Sequence, residues 1–140
     1  MEHLVILRSD LLRAIVTGRK TIEGRVSQRR TAPFGQVRAE DLLWLKPVSG
    51  PITARATVGR VWSFERSVTC DWMSMVGRFR GALADGGWLR QRAGCARYAT
   101  FMRLRGVAMV PSVWIDKRDR RAWVVLDGPL DDTFGTRVSS

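Results

Sequence analysis

Between Ile52 and Val58 every second residue is apolar: Ile52, Ala54, Ala56 and Val58 alternate with Thr53, Arg55 and Thr57. Side chains alternate across a strand, so such a run buries one face and wets the other. Gly59 and Arg60 interrupt the pattern before Val61, Trp62 and Phe64, which predicts one long strand with a bulge at Gly59. The rest of the chain is arranged around that strand. Residues 3–7 form a short apolar run that fits a buried strand. Ser9 then stands as a helix cap ahead of Leu11, Leu12, Ile15 and Val16 at helical spacing, with Gly18 where a left-handed terminal residue belongs. Residues 21–26 read as a second strand, 31–40 as a loop containing Pro33 and Gly35, and 41–46 as a weakly alternating strand. From Asp71 the period becomes helical, through Trp72, Met75, Val76, Phe79 and Leu83. Gly77 and Gly81 weaken that helix, Gly86 and Gly87 end it, and a short helix fits 88–92. Two final strands, 98–110 and 113–126, follow, the second folded into a hairpin around 117–120. About six strands and two to three helices in non-alternating order predict an α+β fold whose small, mainly antiparallel sheet closes as a barrel.

A chain of 140 residues is the length of one domain, since two cores would each need roughly 50 residues. The folded part is expected to span 1–130, with 131–140 as a polar tail. No apolar run approaches the roughly 20 residues of a membrane span, and the first residues lack the pattern of an export signal. A cytoplasmic location, with no membrane partner, is the expectation. Cys70 and Cys95 stand 25 residues apart without a C-x-x-C pairing, and His3 is the single histidine. Neither a metal site nor a bound cofactor is expected from such a set, and the cysteines read as reduced and packed. With its one histidine at the frayed start, the chain is a poor candidate for triad hydrolysis.

Charge is the strongest compositional signal. Lys and Arg number 24 against 13 Asp and Glu, a net charge of +11, and all but three of the 24 are Arg. Such an excess attracts a polyanion, and guanidinium groups additionally fork onto phosphate and stack on bases. The charge is clustered. Residues 13–38 hold seven basic groups against Glu23, and residues 97–121 hold seven against Asp116 and Asp119. Clustering favours a binding surface over dispersed, solubilising charge.

Within the first cluster lies Gly18-Arg19-Lys20-Thr21-Ile22-Glu23-Gly24-Arg25. In an extended strand Thr21, Glu23 and Arg25 share one face and Ile22 points to the other, so Ile22 anchors in the core while Glu23 and Arg25 line a groove. If the turn brings Lys20 to the same side, an ammonium, a carboxylate and a guanidinium converge where they can hold a phosphate or read a base edge. The octapeptide resembles the G-x-K-x-x-E-x-R signature of the ASCH family, a branch of the PUA-like β-barrels, in the manner of a small, bacterial-type member. More loosely, the Asp41-Leu42-Leu43 strand and the final strand near Trp123 resemble that family too. The resemblance implies a small barrel with a cleft beside the first helix that binds RNA or a modified nucleoside or nucleotide. Some relatives are similar to amidohydrolases that deacetylate modified cytidine through the motif Lys and a Thr at the position of Glu23; the Thr is missing here. A hydrolytic variant in which Glu23 activates water and Lys20 stabilises the oxyanion, with these two as catalytic residues, remains the alternative, as does a ribonuclease using the same cleft.

The outer contacts expected around Lys20, Glu23 and Arg25 are Arg29 and Arg30 in the following loop, Trp44 as a cleft floor, Arg97 beside a base-stacking Tyr98, and Arg103. The basic run 117–121 reads as a hairpin tip that touches the same partner.

Overall fold

The computed structural model describes residues 1–66, 73–93, 96–117, 120–128, 130 and 136–138. The elements in chain order are β1 (Glu2–Leu7), α1 (Ser9–Val16), β2 (Ile22–Ser27), β3 (Leu42–Pro47), β4 (Ile52–Glu65), α2 (Met73–Arg78), α3 (Arg80–Leu83), α4 (Trp88–Ala93), β5 (Tyr98–Ile115), β6 (Trp123–Leu126) and β7 (Thr136–Val138). All the strands belong to one sheet of order β2-β5-β4-β3-β1-β6, with β7 added to β5. Among the described residues only β1 and β3 pair in parallel. The architecture is α+β, as expected.

The alternating run behaves as its period dictates. Ile52, Ala54, Ala56 and Val58 are fully buried on β4, and the register against β5 shifts between Val58 and Val61, at the glycine bulge. Three apolar clusters result. One lies between α1 and the sheet, where Leu12 and Ile15 meet Val5, Leu43, Leu45, Ala56 and Met102. A second packs α2, α3 and α4 through Val76, Phe79, Leu83 and Leu89 onto Ile22 and Phe101. Leu4, Ile52, Val124 and Leu126 make the third.

The strand order leaves β2 and β6 at opposite ends of the path, yet Arg25 on β2 lies over the Trp123 ring of β6, 5.4 Å from its centroid. Its Nη2 also donates to the Ile6 carbonyl of β1 at 3.0 Å. The sheet is therefore curled into an incomplete barrel, and Arg25 spans its open side.

Four local expectations are corrected. Ser9 is the first helical residue of α1 rather than its cap; the cap position is Arg8, whose guanidinium instead holds Asp10 at 2.9 Å. The helical run 73–83 is two short helices separated at Phe79, although its apolar stripe does reach the core. Among the described residues no hairpin joins the last strands, although the centre of the expected turn, residues 118–119, lies outside them: β5 continues through Pro111 to Ile115, and β6 pairs with β1. Pro111 is tolerated because it falls between the parts of β5 bound by β2 and by β7. His3 is not frayed but fully buried in β1, where Trp123 Nε1 donates to its Nδ1 at 3.1 Å and its Nε2 bonds Asp41 at 2.8 Å. Within the expected tail, Thr136–Val138 form β7. Cys70, Trp72, Cys95, Arg118 and Asp119 lie outside the described residues.

Candidate functional site

The turn after α1 is built to place one ammonium. Gly18 adopts φ +83°, a conformation that glycine takes at no steric cost, and the Lys20 N–H then closes onto the Ala14 carbonyl at 2.9 Å. This directs Lys20 inward. Its side chain is 2% exposed, and Nζ donates to the carbonyls of Leu83 at 2.7 Å and Ile22 at 3.0 Å. Nζ also stands 3.9 Å from Glu23 Oε1.

Strand β2 alternates as its sequence requires. Ile22 points to the helices and is fully buried, and Gly24 faces the same way, because a Cβ there would sit 2.7 Å from Leu89 Cδ2. Glu23 and Arg25 point inward to the curl. The Glu23 carboxylate is 6% exposed; Oε1 accepts from the Gly24 N–H at 2.9 Å and lies 3.7 Å from Arg25 Nε. Oε2 has no hydrogen-bond partner among the described residues. The expected trio thus converges, with Lys20 behind the carboxylate and Arg25 in front.

Glu23 and Arg25 open into a cavity of about 830 Å³. Among the described residues seven cations line it, Arg8, Arg25, Lys46, Arg92, Lys117, Arg120 and Arg121, against one acid, Glu23. Two indoles, Trp88 and Trp114, stand on its walls, each a little over one-third exposed. Trp88 has Arg92 over its ring at 4.5 Å and Arg8 at 5.9 Å. Lys46 is 9% exposed, with Nζ on the Pro47 carbonyl at 3.0 Å. Burial, reinforced by the Lys117 charge, pushes its pKa below the usual lysine value. A cavity this cationic suits an anion of nucleotide size.

A second hollow of about 600 Å³ lies on the far side of Arg25, which together with Val26, Arg121 and Ala122 lines both. Arg30 and Tyr98 line this one, Arg30 over the Phe34 ring at 5.0 Å and Tyr98 with its ring 4.9 Å from Phe34. The remaining expected contacts are dispersed. Arg29 is exposed on the loop, and Arg97, 64% exposed, lies against Glu65 and over Tyr98. Arg103 is exposed on β5 beside the Gly59 bulge. Trp44 lines neither hollow; its indole N–H donates to Glu2 at 2.8 Å and its ring packs on the Leu4 cluster.

Sequence reasoning passed over Lys46, Arg8, Arg92, Trp88 and Trp114. A signal for Lys46 was present. In a chain that uses Arg 21 times, the three lysines are Lys20, Lys46 and Lys117, and the structure puts two on the cavity wall and one directly behind Glu23.

The backbone compares closely with solved structures. ASCH from Zymomonas mobilis aligns over 79% of this chain and 71% of its own, at 16% identity and a TM-score of 0.59. A serine-to-alanine mutant of that protein aligns over 96% of both chains, at 14% identity and 0.64. The chain has the ASCH fold. A hypothetical protein of known structure aligns over 75% of this chain and 98% of its own, at 12% identity and a TM-score of 0.54. No family model matches the sequence, and no curated protein matches it significantly. Among the described residues no helix is long and apolar enough to cross a membrane.

Proposed function

We propose that this protein is a member of the ASCH family that binds RNA or a nucleotide in the cavity around Glu23 and Arg25. The observation that carries this reading is the composition of that cavity among the described residues: seven cations, two indoles and one carboxylate with an unpartnered, buried oxygen. Cations set around a hollow favour phosphate, and a buried acceptor left open costs about 1–3 kcal/mol unless a donor fills it. An exocyclic amine or a ribose hydroxyl is such a donor, so the site asks for both parts of a nucleotide. The ASCH fold of the neighbouring structures supports the same reading.

In this account Arg25 contacts the ligand, Glu23 orients it, and Lys20 positions Glu23. Lys20 is spent on two carbonyls and is not among the cavity-lining side chains, which favours holding over oxyanion chemistry. The amidohydrolase and ribonuclease alternatives use the same cleft and differ in turnover. Incubating the protein with acetylated cytidine and with a mixed RNA pool, and following retention and product by mass spectrometry, separates them. Retention without product, lost on Arg25→Ala and at high salt, is expected. Product that disappears in Glu23→Gln would make the protein a hydrolase and overturn the binding reading.

A further inference from the structure

The hollow on the far side of Arg25 has the features of a second binding site. Its floor contains Thr100, which is 1% exposed and whose Oγ1 has no hydrogen-bond partner among the described residues. Thr100 lies opposite Arg25 in the pairing of β2 with β5, so the two polar groups come from adjacent strands. Its wall carries the Phe34–Tyr98 ring pair, extended by Arg30 over Phe34 at 5.0 Å and by Arg97 over Tyr98 at 5.7 Å. An aromatic pair capped by guanidinium groups is a platform for a base, because every base presents a π-face. Each hollow therefore combines aromatic faces with one buried, open polar atom: Glu23 Oε2 in the first and Thr100 Oγ1 in the second.

What joins the hollows is cationic. Arg25 and Arg121 line both. Two base-sized spaces that share a pair of guanidinium groups suit the order of a nucleic-acid strand, in which a phosphate lies between successive nucleosides.

We propose that the second hollow is a nucleoside subsite, and that the ligand is a single-stranded RNA of at least two nucleotides whose linking phosphate sits on Arg25 and Arg121. The inference rests on the reading of the first cavity as a nucleotide site, and extends it from a free nucleotide to a strand. A duplex is excluded from this mode, since its paired bases cannot be splayed into two separate hollows.

The test is equilibrium binding, by calorimetry at fixed salt, of a 5′-phosphorylated RNA mononucleotide, the matching dinucleotide, and two dinucleotides each lacking one base. The full dinucleotide is expected to bind at least about tenfold more tightly than the other three, as one stacked base provides. Phe34→Leu and Thr100→Val, with folding checked by thermal melting, should each remove most of that advantage and leave mononucleotide affinity within about twofold. Phe34 lies on a loop, so its variant tests the subsite even where the buried Thr100 change perturbs folding. A mononucleotide that binds as tightly as the dinucleotide, or a dinucleotide advantage untouched by both variants, would overturn the second subsite alone. Failure of mononucleotide and dinucleotide alike would overturn the nucleotide reading of the first cavity, and this inference with it.

Discussion

Lys20 shows how a residue can support a cavity it does not line. Its ammonium satisfies the Ile22 and Leu83 carbonyls, tying β2 to α3 directly behind Glu23. Removing it leaves two buried acceptors and a buried carboxylate with less compensation, so Lys20→Ala should lower unfolding stability by about 2–4 kcal/mol in chemical denaturation. A loss under about 0.5 kcal/mol would show that water replaces the ammonium freely. Lys46 makes a different prediction, in pH. Its folded-state pKa lies below the ordinary 10.5, chiefly through burial and secondarily through Lys117. The shift costs stability at neutral pH, where the buried group must be charged, and that cost is relieved as pH rises through the folded-state pKa. An anionic ligand needs the charged form, so affinity should fall as pH climbs from 7 toward 10.5, earlier than an ordinary lysine would allow. Titrating binding of a short RNA in wild type and Lys46→Arg checks this: the arginine variant keeps its charge and should lose much less affinity over that range. The motif around Glu23 was readable because spacing along one strand fixes which side chains share a face. Lys46 was marked by its rarity as a lysine alone, because nothing local to 41–46 shows that the strand ends inside a cavity.

At the scale of elements, β2 is held to the helices through a missing side chain. A Cβ at Gly24 would approach Leu89 Cδ2 to 2.7 Å, and Leu83 Cδ2 and Phe101 Cδ1 to 3.1 Å. Gly24→Ala should therefore cost about 1–3 kcal/mol as α3 and α4 are pushed off β2, measured as a reduced melting temperature. An unchanged melting temperature would mean that the leucine ends rotate away without loss. Strand β4 was legible because seven residues of strict alternation admit one structure, and all four apolar members are buried. The β5–β6 region was not. Pro111 reads locally as a breaker, but a proline breaks a strand only where a partner needs its N–H, and the pairing of β5 leaves a gap there. That β6 returns to β1 is a long-range pairing with no local marker. The division of the 73–83 run at Phe79 escaped the periodicity for a related reason: the stripe of Val76, Phe79 and Leu83 meets the core whether or not the backbone is continuous.

For the molecule as a whole, one buried chain of hydrogen bonds ties the sheet to the site. Trp123 on β6 donates to His3 on β1, which bonds Asp41 at the entry to β3, and Asp41 also accepts the Arg38 N–H at 2.9 Å. With Nδ1 accepting from the indole, Nε2 carries the proton that Asp41 receives. The locked indole then presents its face to Arg25. Burial by itself would raise the Asp41 pKa, but the hydrogen bonds from His3 and from the Arg38 N–H hold it below the usual 3.8. A depressed carboxylate contributes stability that is full above 3.8 and is lost as pH falls through the folded-state value. Acid unfolding of the wild type should steepen in that window, and Asp41→Asn should be less stable at neutral pH and lack the extra dependence. The most direct test of the central claim, that the cavity behind Arg25 holds nucleotide, is the affinity of a short single-stranded RNA for Arg25→Ala and for Arg55→Ala. Both variants lose one positive charge, but Arg55 is exposed on β4 and lines neither hollow. The account predicts a loss of about tenfold or more for Arg25→Ala, the scale of a charge-assisted hydrogen bond, against about threefold or less for Arg55→Ala. Equal losses would contradict it, and would assign binding to the diffuse charge of the surface.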